Sequence, residues 1–330
     1  MSLTPARRTW LRWSLAAAAA PALAGPTPGA LVWREHALLG FGTTLWLRAA
    51  HADAAQADHA LDAAVALLRH IEHQMSLFDP GSALCRLNRD GMLANPDPAL
   101  VEVLHLARQV SARSGGAFDV TVQPLWAAWQ RAQAAGRRPT PAELAAARAL
   151  VDWRGVAVSA RAVRLARPGM ALTLNGIAQG YAAERARALL RAHGITAALL
   201  DTGEWAPIGQ APGGQPWQLG LASPRDSQHI LARLQAGGRG IAVSTDAQLR
   251  FGPDPADDRD HHILDPRSGR SPPHLSALVV AAPSTTLADA LSKVLFMGTA
   301  AQALAGARQW GVDVVAVDKA GRLQASPGWG

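Results

Sequence analysis

The sequence predicts an α+β protein in which packed helices cover a mixed β-sheet. Short apolar runs predict strands, and longer segments with apolar residues at helical spacing predict helices. These elements do not follow a regular strand–helix–strand rhythm, which disfavours a doubly wound fold. Hydrophobic residues make up 49% of the 330-residue chain and charged residues 17%, so the chain can build a sizeable core and is not a disordered protein.

Apolar runs bounded by turn residues predict the strands. The first two strands lie within residues 31–49 and are separated by Gly40 and Gly42. A last hairpin is expected where residues 312–317 precede Ala320 and Gly321. The strands predicted between these two ends cover residues 195–200, 217–222, 240–244 and 275–281.

Apolar residues spaced three to four positions apart predict the helices. Thr140 is the expected N-cap of the third helix, and either Ser284 or Thr285 that of the fifth. The segment between the first two helices is rich in turn residues and is predicted as a loop. The predicted helices cover residues 54–75, 98–111, 141–150, 176–193, 285–297 and 300–310.

The N-terminal 24 residues are predicted to be an export signal. Arg7 and Arg8 precede an apolar run over residues 14–20, and a small-x-small cleavage site follows at residues 22–24. Paired arginines before an apolar segment are typical of twin-arginine signals. An Ala-rich membrane anchor is the alternative, but the run has about half of the roughly 20 residues that a spanning helix needs. We therefore expect a mature periplasmic protein that begins near Gly25.

The length of the mature chain, residues 25–330, is compatible with one large domain or two small ones. Residues 136–141, with the sequence GRRPTP, are the expected position of an insertion or a subdomain edge. Without the three arginines of the signal, 29 basic residues face 25 acidic ones, an excess too weak and scattered to indicate nucleic-acid binding. The single cysteine, Cys85, excludes an intrachain disulfide and a cysteine metal cluster.

The candidate chemistry lies in six polar segments, each at the end of an apolar element. No segment matches a phosphate-binding Gly-rich loop, a dinucleotide fingerprint or a zinc helix. The small residues around 175–180 open a helix, and helix N-termini bind phosphate well. Asp289 lies within an apolar helix, where an unpaired carboxylate is costly, so a cation, a donor or a metal should be near it. The six segments are residues 75–88, 114–126, 172–184, 201–205, 261–269 and 285–294.

Three of these segments also have plain structural interpretations. The hydroxyl and amide groups of residues 75–88 could bind a polar ligand or form an ordinary capped loop. Asp119 could meet a ligand or serve as an N-cap. The neighbours His261 and His262 point to opposite faces of an extended chain, so only one of them can face a site. A lone histidine is more often structural than catalytic.

In this order, the segments resemble the ApbE family of FAD:protein FMN transferases. The pattern M-S-x-F-x-x-x-S-x-x-x-x-L-N matches residues 75–88, and G-G-A-F-D-x-T-V-x-P-L-x-x-x-W matches residues 115–129. Further along, H-I-x-D-P-x-S-G matches residues 262–269, and A-D-A-L-S matches residues 288–292. The resemblance covers nearly all of the mature chain, from about residue 31 to residue 317.

The resemblance implies a fold with an FAD cleft and an activity that transfers FMN from FAD to a Thr or Ser of a target protein, with release of AMP and assistance from Mg²⁺. It implies that Asp289 is the metal ligand and that His262 is the base or a phosphate contact. The FAD contacts implied by the resemblance are Met75, Ser76, Phe78, Phe118, Asp119, Asn175, Gln179, Glu204, Ser244 and Thr245.

This sequence departs from the family pattern at four positions. Gln179 replaces the usual Lys, Glu204 replaces the usual Asp or Asn, and Thr245 replaces the usual Gly. The variants around Gln179 and Glu204 resemble the branch associated with nitrous-oxide respiration, whose members flavinylate a respiratory membrane protein. The fourth departure is Lys293, which replaces the family's Thr four residues after the metal-binding Asp.

Lys293 leaves the metal chemistry open. Positions 289 and 293 share one helix face, so we expect an ion pair that occupies the place of the metal. Lys293 could supply part of the metal's charge, abolish the site, or extend to solvent. It is therefore expected to act in catalysis together with His262 and Asp289, or else to make the protein a non-catalytic FAD carrier or a flavoprotein assembly factor.

Overall fold

The computed structural model describes residues 11–12, 31–252, 257 and 259–329. The predicted export signal falls outside these residues except for Leu11–Arg12, which pairs antiparallel with residues 220–221. The strands, numbered β1 to β14 along the chain, are Leu11–Arg12, Val32–Gly40, Thr43–His51, Met92–Ala94, Val156–Val158, Ala162–Leu165, Ala197–Asp201, Trp205–Ile208, Gln218–Ala222, Ile230–Gln235, Gly240–Thr245, Leu275–Ala282, Asp313–Asp318 and Leu323–Ala325.

Eight of these strands form one large sheet in the order β14-β13-β12-β11-β8-β7-β3-β2. The α+β class is confirmed. The strand directions differ from the expected mixture, because the paired strands of this sheet in the described chain are antiparallel. Hairpins connect β2 with β3, β7 with β8 and β13 with β14, whereas longer segments of the chain join the other neighbouring strands. Two three-stranded sheets, β1-β9-β10 and β4-β6-β5, accompany the large one.

The predicted helices all form, most of them within three residues of the expected ends. None of the helices in the described part of the chain is long and apolar enough to cross a membrane. The helices, numbered α1 to α8, are Ala54–Met75, Ala83–Asp90, Pro98–Arg113, Gln123–Ala134, Pro141–Arg148, Ala178–Ala192, Thr285–Val294 and Ala300–Trp310.

Helix α2 corrects the expectation of a loop between α1 and α3. Ser82 caps it by accepting a hydrogen bond from the Cys85 N–H, and Gly91 ends it in the left-handed conformation at φ 70°. Eight residues are too few for helical periodicity to stand out in the sequence, although both capping residues are typical of helix ends. Helix α4 and the strands β4, β5, β6, β8 and β10 were not predicted either.

Burial differs between the two ends of the large sheet. Strands β11 and β12 are buried at every position because α7 and α8 cover one face and the small sheet of β9 and β10 covers the other. Strand β3 instead alternates between buried and exposed residues over residues 43–47, where no element of the described chain covers its outer face. Helices α1 and α6 pack on its inner face in the largest core cluster. Helices α6 and α7 therefore lie side by side against the middle strands of the large sheet.

Candidate functional site

Hydrogen bonds link the polar segments to one another around the N-terminal end of α6 and the C-terminal half of α7. Asn88 exchanges two hydrogen bonds with the backbone of Leu172, which ties the end of α2 to the segment before α6. The Thr173 N–H donates to the Val120 carbonyl at 2.8 Å, so the Phe118 loop is fixed to the same segment. Trp129 on α4 donates from its indole to the Gly269 carbonyl and holds the segment that follows His262. These hydrogen bonds join segments that lie far apart in the sequence.

The centre of this cluster is the pair of Asp289 and Lys293 on α7. The Lys293 Nζ donates to Asp289 Oδ1 at 2.7 Å and to Ser292 Oγ at 3.0 Å. The side chain of Asp289 is fully buried, and that of Lys293 is 22% exposed. The predicted ion pair is confirmed, and the alternative in which Lys293 extends to solvent is wrong. Burial of the carboxylate makes this pair far less screened than a surface pair.

The second oxygen of Asp289 is also occupied. The Gly180 N–H, in the first turn of α6, donates to Asp289 Oδ2 at 3.0 Å. A methyl group at Gly180 would lie 2.5 Å from the Thr285 carbonyl oxygen and 2.6 Å from Asp289 Cβ, so only glycine allows the two helices to pack this closely. The sequence predicted that a cation, a donor or a metal lies near Asp289, and the structure shows a cation and a donor.

Two serines extend the network into the sheet. Ser292 Oγ donates to the Asp289 carbonyl oxygen at 2.7 Å and lies 2.8 Å from Ser244 Oγ on β11. Both serines are buried. Ser244 is thus a neighbour of the Asp289 and Lys293 pair through Ser292, and its contact with FAD stays a prediction. Ser292 was noted in the sequence only as part of the A-D-A-L-S pattern.

The loop before α6 closes over Lys293. A methyl group on Gly176 would lie 3.3 Å from the ring of Phe118 and 3.4 Å from the Lys293 side chain, so these three residues are in contact. Phe118 is buried, whereas Asn175 is exposed. Asn175 is thus available to a ligand at the edge of the cluster, and Gly176 packs against the aliphatic part of the Lys293 side chain.

Gln179 and Glu204 lie beneath the cluster and organise its backbone. The Gln179 side chain donates to the Thr202 carbonyl at 3.0 Å, and the Thr202 hydroxyl donates back to the Gln179 carbonyl. Glu204 accepts a hydrogen bond from the Val243 N–H at 3.1 Å. Both side chains are buried. Their visible role is to join α6 to β11 through the turn after β7, and direct contact with FAD stays a prediction.

Asp119 holds the Phe118 loop from within. Its carboxylate accepts hydrogen bonds from the Thr121 N–H, the Thr121 hydroxyl and the Trp153 N–H at 2.6 to 3.0 Å. Burial raises the pKa of this carboxyl, and the three hydrogen bonds counteract only part of that rise. The N-cap interpretation of Asp119 is confirmed, because the residue caps the short helical turn of residues 120–122.

The end of α1 presents one exposed aromatic ring. Met75 and Ser76 are buried, and Ser76 Oγ accepts a hydrogen bond from the Phe78 N–H at 3.1 Å. The Phe78 side chain lies against Gly42 and is 54% exposed. An exposed ring of this size is suited to stacking on a planar ligand. Of these three predicted FAD contacts, Phe78 is therefore the one accessible to a flavin or an adenine.

The two adjacent histidines differ in burial, as the alternation predicted. His261 is fully buried, contacts the Pro272 carbonyl at 3.2 Å and packs edge-on against Phe296. His262 is half-buried, and its backbone N–H donates to the Leu249 carbonyl. His261 is therefore a core residue, and His262 is the histidine of the pair that can reach a ligand.

Sequence analysis missed a second buried acid beside Thr245. Asp246 is fully buried and accepts two hydrogen bonds from Arg225, at 2.7 and 2.8 Å, and one from Lys319 at 2.7 Å. Thr245 itself is buried and caps the following turn by accepting from the Ala247 N–H. The local sequence around Asp246 does not indicate an ion pair, because its partners Arg225 and Lys319 lie 21 and 73 residues away.

The Asp246 cluster should make stability depend on pH. Burial alone would raise the pKa of Asp246, but the hydrogen bonds from Arg225 and Lys319 outweigh burial and hold it below the unfolded value of 3.8. The stabilisation by ionised Asp246 is therefore present above 3.8 and is lost as the pH falls through the lower folded pKa. We expect Asp246→Asn to lower the free energy of unfolding by about 3 kcal/mol at neutral pH.

Urea unfolding of the wild type and the Asp246→Asn variant, from neutral pH to below the folded pKa of Asp246, checks the prediction. The difference in unfolding free energy should shrink as the pH drops below about 4. A difference that stays constant down to strongly acidic pH would contradict an ionised Asp246.

The residues around Asp289 do not fit a magnesium ion. Mg²⁺ requires near-octahedral oxygen ligands at about 2.0–2.1 Å. Here one oxygen of Asp289 binds the Lys293 ammonium and the other binds the Gly180 N–H. Within the described residues, no group of three or more His, Cys, Asp or Glu side chains could hold a metal ion.

One cavity of the described chain lies apart from the Asp289 and Lys293 pair, since neither residue lines it. It has a volume of about 400 Å³, is lined by residues 88–92, 164–165 and 167–170, and shares only Asn88 with the predicted FAD-binding segments. The position of the FAD cleft stays a prediction.

The fold is that of known flavin transferase structures. It superposes on the flavin transferase ApbE from Vibrio cholerae with a TM-score of 0.78 and 23% identity, covering 91% of this chain and 99% of the other. The ApbE protein from Thermotoga maritima gives a TM-score of 0.80 at 23% identity, with 90% and 98% covered. At 23% sequence identity, this structural similarity establishes the fold alone.

The chain belongs to the ApbE family, whose sequence model matches residues 41–316. A relative from Treponema pallidum, named FAD:protein FMN transferase, is 30% identical over 300 residues, which is 83% of this chain and 81% of the relative. A protein of the same name from Salmonella typhimurium is 29% identical over 259 residues, 75% of this chain and 73% of the other.

Proposed function

We propose that this protein is an FAD:protein FMN transferase that attaches FMN by a phosphoester to a Thr or Ser of a target protein. The observation that carries the proposal is the buried Asp289 and Lys293 pair, which the start of α6 contacts through Gly176 and Gly180. Family membership and the shared name of the relatives support it. FAD is the substrate and the flavin donor.

The reaction breaks one phosphorus–oxygen bond and forms another. The acceptor hydroxyl oxygen bonds to the FMN phosphorus, the bond from that phosphorus to the AMP oxygen breaks, and AMP leaves with the electron pair. The hydroxyl proton goes to a base, for which half-buried His262 is the proposed residue. Negative charge on the pyrophosphate increases as the bond breaks, so a fixed positive charge beside it lowers the barrier.

A non-catalytic FAD carrier or assembly factor is the second candidate. The observation that favours it is the ion pair itself, because Lys293 neutralises the carboxylate that the family resemblance assigns to the metal. A carrier would bind and release FAD unchanged. The two candidates therefore differ in whether AMP and labelled acceptor form.

We also propose a periplasmic location and a respiratory membrane protein as the acceptor. Residues 1–24 support export, since Arg7 and Arg8 precede an apolar run and a small-x-small site. The variants around Gln179 and Glu204 support an acceptor of the kind modified by the nitrous-oxide branch. Nucleic acid is not a proposed partner, given the weak charge excess of the mature chain.

Incubation of the purified protein with FAD and membranes of a strain that lacks it tests the proposal. A transferase should produce a fluorescent flavin band on a denaturing gel, and the band should persist because the bond is covalent. Mass spectrometry of the band identifies the acceptor and the modified Thr or Ser. FAD recovered unchanged, with no covalently labelled protein from any fraction, would favour the carrier.

A further inference from the structure

We propose that the Lys293 ammonium is the resident cation of this site and contacts the pyrophosphate of FAD in place of Mg²⁺. The inference rests on the proposed transferase function and concerns how that reaction is assisted. It makes Lys293 a catalytic residue and Asp289 the residue that positions it. The consequence is FMN transfer that does not depend on divalent metal.

The hydrogen bonds of Lys293 fix the ammonium and leave one donor for a ligand. An ammonium has three N–H donors. Among the described residues, Nζ contacts two acceptors, Asp289 Oδ1 at 2.7 Å and Ser292 Oγ at 3.0 Å. The remaining donor and the 22% exposure of the side chain make the ammonium accessible to a phosphate oxygen.

The surroundings of Lys293 favour an anion. The N-terminal turn of α6 carries partial positive charge, and its Gly180 N–H points at the same carboxylate that holds Lys293. Asp289 is thereby shared between a helix N-terminus and an ammonium, so its charge is balanced before a ligand arrives. Gly176 lies against Cε and Cγ of Lys293 and adds no side chain there that would crowd a bound phosphate.

The same contacts work against a divalent ion. A metal bound to Asp289 Oδ1 would have to displace an ammonium that already lies 2.7 Å from that oxygen. If Lys293 stayed nearby, its charge would repel the metal directly. Lysine is a compact point charge that binds phosphate well, so its charge and hydrogen bonds can take over part of the metal's role.

The chain contains a matched control. Its only two lysines are Lys293 and Lys319. Each Nζ lies 2.7 Å from a fully buried aspartate, and each side chain is 22% exposed. The variants Lys293→Thr and Lys319→Thr therefore each remove a lysine from a buried aspartate, and only Lys293 is proposed to touch FAD. Asp246 keeps its two hydrogen bonds from Arg225 in the second variant.

FMN transfer is measured with and without Mg²⁺, in the presence of a chelator where Mg²⁺ is omitted. The wild type should transfer FMN in the chelator, and added Mg²⁺ should change the rate less than about twofold. Lys293→Thr should lower transfer in the chelator by about 10²–10³-fold, the effect of removing one positioned donor, and should regain activity with Mg²⁺. Lys319→Thr should behave as the wild type.

Two readouts do not depend on turnover. Electron paramagnetic resonance with Mn²⁺ should show no tight site in the wild type and one in Lys293→Thr. In the unmodified protein, FAD should protect Lys293 but not Lys319 from reductive methylation, measured by mass spectrometry, so the inference can be tested even if the variant fails to fold.

Transfer by the wild type that requires Mg²⁺, together with a tight Mn²⁺ site, would overturn the inference while leaving the transferase function intact. Equal methylation of Lys293 with and without FAD would also overturn it. Protection of Lys293 without any FMN transfer would support its contact with FAD and would reject the transferase function.

Discussion

Replacement of His262 by alanine is expected to lower the rate of FMN transfer by about 10²–10⁴-fold, the usual contribution of a general base. His262 is half-buried, whereas its neighbour His261 is part of the core. The acceptor hydroxyl must lose its proton as it attacks, and His262 is the residue proposed to accept it. FAD should still bind, because most of the predicted contacts come from other segments.

Single-turnover transfer and equilibrium FAD binding, measured on the same preparation, check this expectation. His36→Ala is a suitable control, since His36 is also half-buried and lies on β2 beside Asp62. Added imidazole should restore part of the rate to the His262→Ala variant, which a purely structural role would not allow. A variant that transfers FMN at the wild-type rate would remove His262 from the chemistry.

Replacement of Asp289 by asparagine is expected to reduce transfer by about 10²–10³-fold. The amide cannot balance the Lys293 ammonium, so the cation loses its fixed position beside the pyrophosphate. Removal of one partner from a buried pair also destabilises a protein, here by about 3 kcal/mol because Lys293 is partly exposed. Stopped-flow transfer assays and urea unfolding separate the two effects.

Asp313→Asn provides the comparison for the Asp289 variant. Asp313 is the first residue of β13 and is paired with Arg239, which precedes β11. The Asp313 side chain is 28% exposed. This variant should lose some stability and keep its transfer rate. If Asp289→Asn lost no more activity than Asp313→Asn, the buried pair would be structural only.

Local patterns in the sequence were sufficient for most of the long elements. The 22 residues of α1 and the 11 of α8 match their predicted bounds because each has several turns of apolar periodicity. Strands β4, β5 and β6 have three or four residues each, too few for alternation to be recognised. Strand directions depend on partners far along the chain, so the antiparallel order was not accessible from local patterns.

In the candidate site, too, contacts between residues close in the sequence were predictable, and contacts between distant residues were not. The i, i+4 spacing of Asp289 and Lys293 predicted their ion pair, since helix geometry alone brings the two together. The hydrogen bond from Gly180 to Asp289 joins residues 109 positions apart and needed the fold. The Arg225 and Lys319 contacts to Asp246 were missed for the same reason.

The most direct test of the proposed function is the product balance of one turnover with a purified acceptor. The protein is mixed with FAD and the acceptor domain, AMP is quantified by chromatography, and flavinylated acceptor is quantified by intact mass. The proposed reaction predicts equal amounts of AMP and FMN-acceptor, with the flavin on a Thr or Ser hydroxyl. FAD that stays bound and intact, with neither product formed, would contradict it.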